Sequence, residues 1–292
     1  MNFSSGRELL DLCNNSNKKI SEIMMEKEKK TSELTEKEII DKVAISLDIM
    51  KEATNKGLTE DIKSVSGLIG GDAKKVKERS ERHQPVCGMM MSKAISRSMA
   101  VLEVNAAMGK IVAAPTAGSS GILPATLLTI GEEFHLSDER LIEGLMTASA
   151  IGMIISRNAT VAGAEGGCQA ETGSAAAMAA AAVVELMGGS PEASFHAAAI
   201  CIKNILGLVC DPIAGLVESP CEARNAIGAA NALISAEMAL AGVKSLIPFD
   251  EVVDAMYRVG RCLPMELRET ALGGLAATPT GKKLHEQVFG MK

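Results

Sequence analysis

A chain of 292 residues can bury a large core, but aromatics make up only 2% of this one and tryptophan is absent. Alanine, methionine and leucine must fill the interior, which favours closely packed helices over sheets, as one big domain or a core plus an appendage. The net charge of −6, without a basic block, removes the electrostatic footprint of a nucleic-acid or anionic-membrane partner. Seven cysteines, an odd number in a long chain, fit a reducing compartment better than a disulfide framework. The opening Met-Asn-Phe-Ser-Ser-Gly-Arg-Glu has no basic segment followed by an apolar run, so no secretion signal is expected and a cytoplasmic location is.

Residues 1–57 read as an N-terminal helical appendage, and 58–292 as an all-helical domain. Glu26 to Lys42 is dense in both charge signs, the mark of a solvated face. Thr35 and Glu38 form a capping box, after which Ile39, Ile40, Val43, Leu47 and Met50 recur at helical spacing until Gly57. Leu58 to Gly71 is a loop whose Gly67, Gly70 and Gly71 suit either an anion cradle or a hinge. A charged helix starts at Asp72 and breaks at Gln84-Pro85. A longer one runs from about Met89 to Met108 and stops at Gly109.

Ile111 to Gly131 carries no charge over 21 residues, long enough to span a bilayer. Pro115 and Pro124, with Thr116, Gly118, Ser119, Ser120 and Gly121, break it into a loop followed by the helical run Ile122 to Ile130, so no membrane segment is expected. Such a loop offers free N–H groups, hydroxyls and a positive helix end to a carboxylate, although an ordinary Ser-capped helix start has the same composition. Ser137 caps a helix to about Arg157, and Asn158 to Gly163 makes a turn. Glu171 to Met187 is nearly all alanine, methionine and valine, and a helix apolar on all sides is buried. Ser190-Pro191-Glu192 opens a helix to Val209, with Cys201 in its core. Helices follow near Glu222–Ala241 and Asp250–Cys262, and Gly273–Gly281 is a loop. No fixed-period repeat and no βαβ alternation occurs, so the expected fold is all-α: a compact multi-helix domain with buried alanine-rich helices.

Three cysteines sit beside turn-forming residues: Cys168 after Gly166-Gly167, Cys210 before Asp211-Pro212, and Cys221 after Pro220. Ser219, Pro220 and Glu222 suit the N-cap, N1 and N3 of a helix, which puts Cys221 in a first turn where the positive helix end favours the thiolate. The separations of 42 and 11 residues are too wide for a zinc knuckle, and no C-x-x-C pair is present. On spacing alone these residues read as buried core thiols at least as well as metal ligands.

The motifs Ser66-Gly67-Leu-Ile-Gly70-Gly71-Asp72-Ala73, Glu103-Val-Asn105-Ala-Ala-Met-Gly109, Pro115-Thr-Ala-Gly118-Ser119-Ser120-Gly121, Gly166-Gly-Cys168-Gln-Ala-Glu171, Cys210-Asp-Pro212, Pro220-Cys221-Glu-Ala-Arg224-Asn225 and Leu272-Gly-Gly-Leu-Ala-Ala-Thr278-Pro-Thr-Gly281 resemble the alpha chain of iron–sulfur-dependent L-serine dehydratases. The resemblance runs from about Leu9 to the C-terminus. It implies deamination of L-serine to pyruvate and ammonia, a 4Fe–4S cluster on Cys168, Cys210 and Cys221, and an iron without protein ligand that acts as a Lewis acid on the serine hydroxyl. No tetraglycine stretch of the pyridoxal-phosphate serine dehydratases occurs. Thr116, Ser119, Ser120 and Gly121 are the candidate substrate-binding residues. None of His83, His135, His196 and His285 lies in a matching motif. The base is therefore expected on a beta chain, which in two-subunit members carries a Ser-Ser-His-Thr loop, with Glu165, Glu171 and Glu218 as the fallback here. The expected beta-chain interface is residues 109–121 and 163–171. Competing readings are another cluster-dependent hydro-lyase acting on a hydroxy acid, a cluster protein for sensing or electron transfer, and a helical scaffold subunit.

Overall fold

The alanine-rich run becomes the axis of the fold. In the computed structural model, which describes residues 2–290, Ser174–Leu186 form helix α9, and every residue of it is buried. Methyl side chains let neighbouring helices approach closely, and four do so: α6 (Ile122–Glu133), α7 (Asp138–Asn158), α10 (Pro191–Asn204) and α11 (Cys221–Leu240). Outside them, α5 (Met89–Ala106) packs on α6 and α11, and α3 (Glu36–Thr59) and α4 (Asp72–Arg82) pack on α5. Helix α2 (Ile20–Ser32) lies on α7, while α1 (Gly6–Ser16) and α12 (Phe249–Cys262) lie on α10. The four-residue α8 (Gly163–Gly166) precedes α9, and α13 (Pro279–Phe289) closes the described chain. Among the described residues the one β-type pairing is the parallel bridge Cys210–Arg268, so the molecule is all-α as the composition requires. No helix among them is long and apolar enough to cross a membrane.

The N-terminal helices share the main core. Phe3, Leu9, Cys13, Ile20, Ile23 and Leu47 pack in the same apolar cluster as α7, α9 and α10. Two carboxylates fasten them. Asp250 at the start of α12 accepts hydrogen bonds from the N–H groups of Gly6 (2.7 Å) and Arg7 (2.9 Å). Glu185, near the end of α9, accepts from those of Ile20 (2.9 Å) and Ser21 (3.3 Å). Both sit where a helix N-terminus leaves donors unpaired and favours negative charge.

Three elements depart from the sequence reading. Helix α10 ends at Asn204 rather than Val209, because Gly207, with φ +89°, turns the chain toward the Cys210 bridge. Residues 273–281 are not all loop: Thr278 accepts from the Gly281 N–H (3.0 Å) and Pro279 opens α13. The Ser219 cap does not form, since α11 starts at Cys221 and no side chain caps it. The Ser219 carbonyl instead accepts from the Ile213 N–H (2.9 Å), closing the turn ahead of the helix.

Burial holds the Glu185 carboxyl above its usual value of 4.5. The folded state thus keeps that proton more tightly than the unfolded state, so its contribution is complete below pH 4.5 and declines as pH climbs through the raised folded value. Glu185→Gln removes the titration. The difference in melting temperature between variant and parent should shift in the variant's favour from pH 5 to pH 8.5. A difference independent of pH would reject this account.

Candidate functional site

The first turn of α11 gathers the site. Asn225 donates through Nδ2 to the carbonyls of Cys221 (2.9 Å) and Gly118 (2.7 Å), and its Oδ1 accepts from the Gly121 N–H (3.0 Å). One amide therefore fixes the loop 116–121 to the helix that carries Cys221. The approach is close on the other side too: a Cβ on Gly121 would run into the Ser98 carbonyl oxygen of α5. One residue earlier, Arg224 donates to the Val209 carbonyl (2.8 Å) and to Asp211 Oδ1 (2.7 Å), which holds the segment carrying Cys210. Asp211 Oδ2 accepts from the Leu275 N–H (2.7 Å), drawing in the C-terminal loop. Cys210 pairs its backbone with that same stretch, its N–H to Leu267 (2.9 Å) and its carbonyl to Glu269 (2.7 Å).

Cys168, Cys210 and Cys221 are all buried and meet in one place, close enough that charge on one raises the proton affinity of the others. Cys168 Sγ lies 3.1 Å from Thr172 Oγ1, at the start of a turn of π-helix, Gln169–Gly173, that leads into α9. Burial is the largest effect on each thiol and pushes all three up. For Cys221 the net direction is opposite to the expectation from its place in a first helical turn: burial, then charge on Cys168 and Glu171, raises it. Arg224 is the one cation that acts on both Cys168 and Cys221.

The donor set fits a thiolate-bound iron–sulfur cluster. Three soft thiols converge out of water, one guanidinium cannot balance three thiolates, and metal binding displaces exactly such protons from buried cysteines. The remaining cysteines lie elsewhere. Cys201 is fully buried, its thiol donates to the Ala176 carbonyl (3.4 Å), and burial pushes it up to about 12. Cys13 is in the N-terminal core, and Cys87 and Cys262 are exposed.

The three fallback carboxylates separate clearly. Glu165 is exposed on α8. Glu218 is buried and committed, accepting from Ser64 Oγ (2.6 Å) and from the Ser66 hydroxyl, so that it latches the glycine-bearing loop 64–71. Glu171 stands at the cysteines and at the serine loop together. Its Oε1 accepts from Thr116 Oγ1 (2.7 Å), and a Cβ on Gly163 would lie 2.7 Å from its Oε2 and 3.0 Å from Cys210 Sγ. Burial raises Glu171 to about 7.

The serine loop offers fewer free donors than its composition suggests. The Gly121 N–H belongs to Asn225, and the Ser120 N–H points to the Ala117 carbonyl (3.3 Å). Thr116 and Ser119 hydroxyls lie 3.0 Å apart and engage each other and Glu171. Ser120 Oγ is buried without a partner in the chain. Sequence reasoning missed Asn225 and Arg224 as the residues that assemble the site, although both stand in the motif after Cys221. It also missed a neighbouring acidic group, Asp72, Glu103 and Glu222. Glu103 Oε1 accepts from the first N–H groups of α4, Asp72 (2.6 Å) and Ala73 (3.1 Å). Burial and then Glu103 raise Glu222, so this pair retains a proton.

The serine dehydratase alpha chain family matches residues 15–276. Over 288 residues the chain is 49% identical to the probable L-serine dehydratase alpha chain of Bacillus subtilis (strain 168), covering 99% of this chain and 96% of that one. It is 50% identical over 282 residues to the L-serine dehydratase alpha chain of Peptoniphilus asaccharolyticus, with 97% of each covered. L-serine dehydratase 1 of Escherichia coli (strain K12) is 36% identical over 285 residues, which are 94% of this chain and 61% of that protein. With a match over most of its length and near-complete overlap with two alpha chains, this chain belongs to the serine dehydratase alpha-chain family.

Proposed function

We propose that this chain is the cluster-bearing subunit of an L-serine dehydratase, a lyase that converts L-serine to pyruvate and ammonia without pyridoxal phosphate. The convergence of Cys168, Cys210 and Cys221 beside Glu171 and the Thr116–Gly121 loop carries this reading. Cys168, Cys210 and Cys221 would hold a 4Fe–4S cluster as thiolates, and an iron left without a protein ligand would supply Lewis acidity to the hydroxyl leaving group.

This chain's residues bind and orient. The Ser119–Ser120 stretch, with the unpartnered Ser120 hydroxyl, receives the substrate carboxylate. Glu171 faces the same space and pairs with the substrate ammonium, while Thr116 fixes its rotamer. Arg224 offsets negative charge at Cys168 and Cys221, and Asn225 keeps the loop at the distance α11 sets. Abstraction of the α-proton falls to a base from a beta chain, since a base must come within hydrogen-bond reach of its proton and none of the four histidines lies in the motifs that carry the cysteines. Loss of hydroxide then gives aminoacrylate, which water hydrolyses to pyruvate and ammonia. The longer Escherichia coli relative, which this chain spans for 61% of its length, is consistent with a second module in the working enzyme.

The test is anaerobic reconstitution with iron and sulfide, followed by assay of pyruvate from L-serine with and without the beta chain. Turnover should need both chains. Full-rate turnover by this chain alone would remove the partner base and make Glu171 the first carboxylate to mutate; a cluster without turnover in the complete pair would reject the lyase reading.

Two substitutions sharpen the assignment. Cys210→Ser should lower bound iron and abolish turnover, whereas Cys201→Ser should leave iron content unchanged; full iron occupancy in the Cys210 variant would contradict the ligand set. Ser119→Ala or Ser120→Ala should weaken apparent serine affinity about ten- to a hundredfold, the effect of roughly 1.5–3 kcal/mol for a hydrogen bond to a charged group. Unchanged affinity in both would dismiss the loop as the carboxylate site.

A further inference from the structure

Arg224 fastens the Cys210 segment to α11, and Asn225 fastens the serine loop. The turn that carries Cys168 has an amide of its own. Gln169 is fully buried, and its side-chain groups all find partners. Its Nε2 donates to the carbonyls of Gly166 in α8 (2.9 Å) and Met256 in α12 (2.9 Å). Its Oε1 accepts from the N–H of Gly207 (2.8 Å), in the turn that leads to Cys210. A carboxamide has two N–H donors and one acceptor oxygen, so this arrangement admits one orientation. Turned over, it would set an oxygen against two carbonyls and an NH2 against an N–H.

The side chain thus ties α8 to α12 and to the turn between α10 and Cys210. The main chain repeats the second link, because the Gln169 N–H donates to the Leu208 carbonyl (3.0 Å). Packing here is tight. A Cβ on Gly167 would lie 2.8 Å from the Leu208 carbonyl oxygen. One on Gly260 of α12 would lie 2.6 Å from the Gly166 Cα and 3.1 Å from Gln169 Nε2. The turn before Cys168 is therefore wedged between α12 and residues 207–209, and the Gln169 amide is the polar connection among the three.

We propose that Gln169 is a positioning residue for the cluster: by bonding Gly207 and Met256 it sets where Cys168 stands relative to Cys210. Its polar atoms are committed to backbone groups, so it acts through Cys168 and not on substrate. The inference rests on the three-cysteine cluster of the reading above, not on the reaction that cluster performs. Removing a group that orients metal ligands from behind costs about ten- to a hundredfold in metal affinity, and a cluster held by only three thiolates depends on each of them.

The test uses the full chain, reconstituted anaerobically with iron and sulfide and kept free of serine. Gln169→Met keeps the side chain's length and removes all three bonds. Gln169→Glu keeps the acceptor for Gly207 and turns an oxygen toward the two carbonyls. Asn231→Leu is the control: Asn231 is also buried, and its amide donates to the carbonyl of Cys201 (2.9 Å), outside the ligand set, and accepts from Asn204 (2.7 Å). Iron release to a chelator, the electron paramagnetic resonance of the reduced cluster and helical circular dichroism are compared. Gln169→Met should release iron about ten- to a hundredfold faster than the parent, with an altered resonance and unchanged helicity; Gln169→Glu should also release it faster, and Asn231→Leu at the parental rate. If the methionine variant loses its helical signal, the glutamate variant decides by the same rates. Parental release and resonance in both Gln169 variants would overturn the proposal, and so would an Asn231 variant that sheds iron as fast as they do. A parent chain that takes up no iron would instead overturn the cluster reading on which the proposal stands.

Discussion

The site depends on one buried ion pair at the start of α11. Arg224 and Asp211 meet at 2.7 Å with side chains 11% and 4% exposed, and their remaining polar atoms reach the Val209 carbonyl and the Leu275 N–H. A buried pair adds little net stability over an apolar replacement, but removing one partner strands a charge and costs about 3–5 kcal/mol. Here the pair also fastens the Cys210 segment to the helix that carries Cys221, alongside the bond from the Ile213 N–H to the Ser219 carbonyl. The pair holds Cys210 relative to Cys221, and it places a guanidinium beside Cys168 and Cys221, where it opposes the effect of burial without overcoming it. Asn225 extends the same helical turn to the serine loop. Two adjacent side chains thus couple α11 to three stretches of irregular backbone.

Small residues make that coupling possible. The alanine axis α9 brings α6, α7, α10 and α11 close around it, and the segments between those helices emerge at the site. Gly121 lies against the Ser98 carbonyl, and Gly163 leaves room for the Glu171 carboxylate and the Cys210 sulfur. A larger side chain at either point would push the loop or the carboxylate away. The core's packing and the site's geometry therefore impose the same demand for residues without bulk, and this explains why so aromatic-poor a chain carries a dense polar centre.

Helical periodicity made most of the fold legible from sequence. The stripe from Ile39 to Met50, the all-apolar run before Gly188 and the Thr35 capping box each specify an element by themselves. Where local signals competed with tertiary contacts, the reading slipped. Ser219 looked like an N-cap, but the turn took its carbonyl and the helix began two residues later. Cys221 looked activated by its helix end, but its thiol is raised, chiefly by desolvation. Cys168, Cys210 and Cys221 were singled out by their turn context, and the motifs around them by family resemblance. Their convergence was not visible, because Arg224 and Asn225 resemble ordinary surface polar residues until their partners, 13 and 107 positions away, are known.

Buried acids follow one pattern across the molecule. Glu185, Glu171 and Glu222 are all raised chiefly by burial, yet their surroundings differ. Glu185 faces two backbone N–H groups at a helix start, which favour its charge and make it a fastening. Glu222 faces Glu103, which disfavours its charge, so that pair settles by holding a proton beneath the cysteine helix. Glu171 has a single hydroxyl from Thr116 as its donor and looks onto the glycine-lined space shared with Cys210. Of the three it alone stands beside both a cysteine sulfur and the 116–121 loop. Desolvation by itself therefore identifies no functional carboxylate in this chain. The distinction lies in what faces each group: backbone donors at Glu185, a second acid at Glu222, and the Thr116 hydroxyl and Cys210 sulfur beside Glu171.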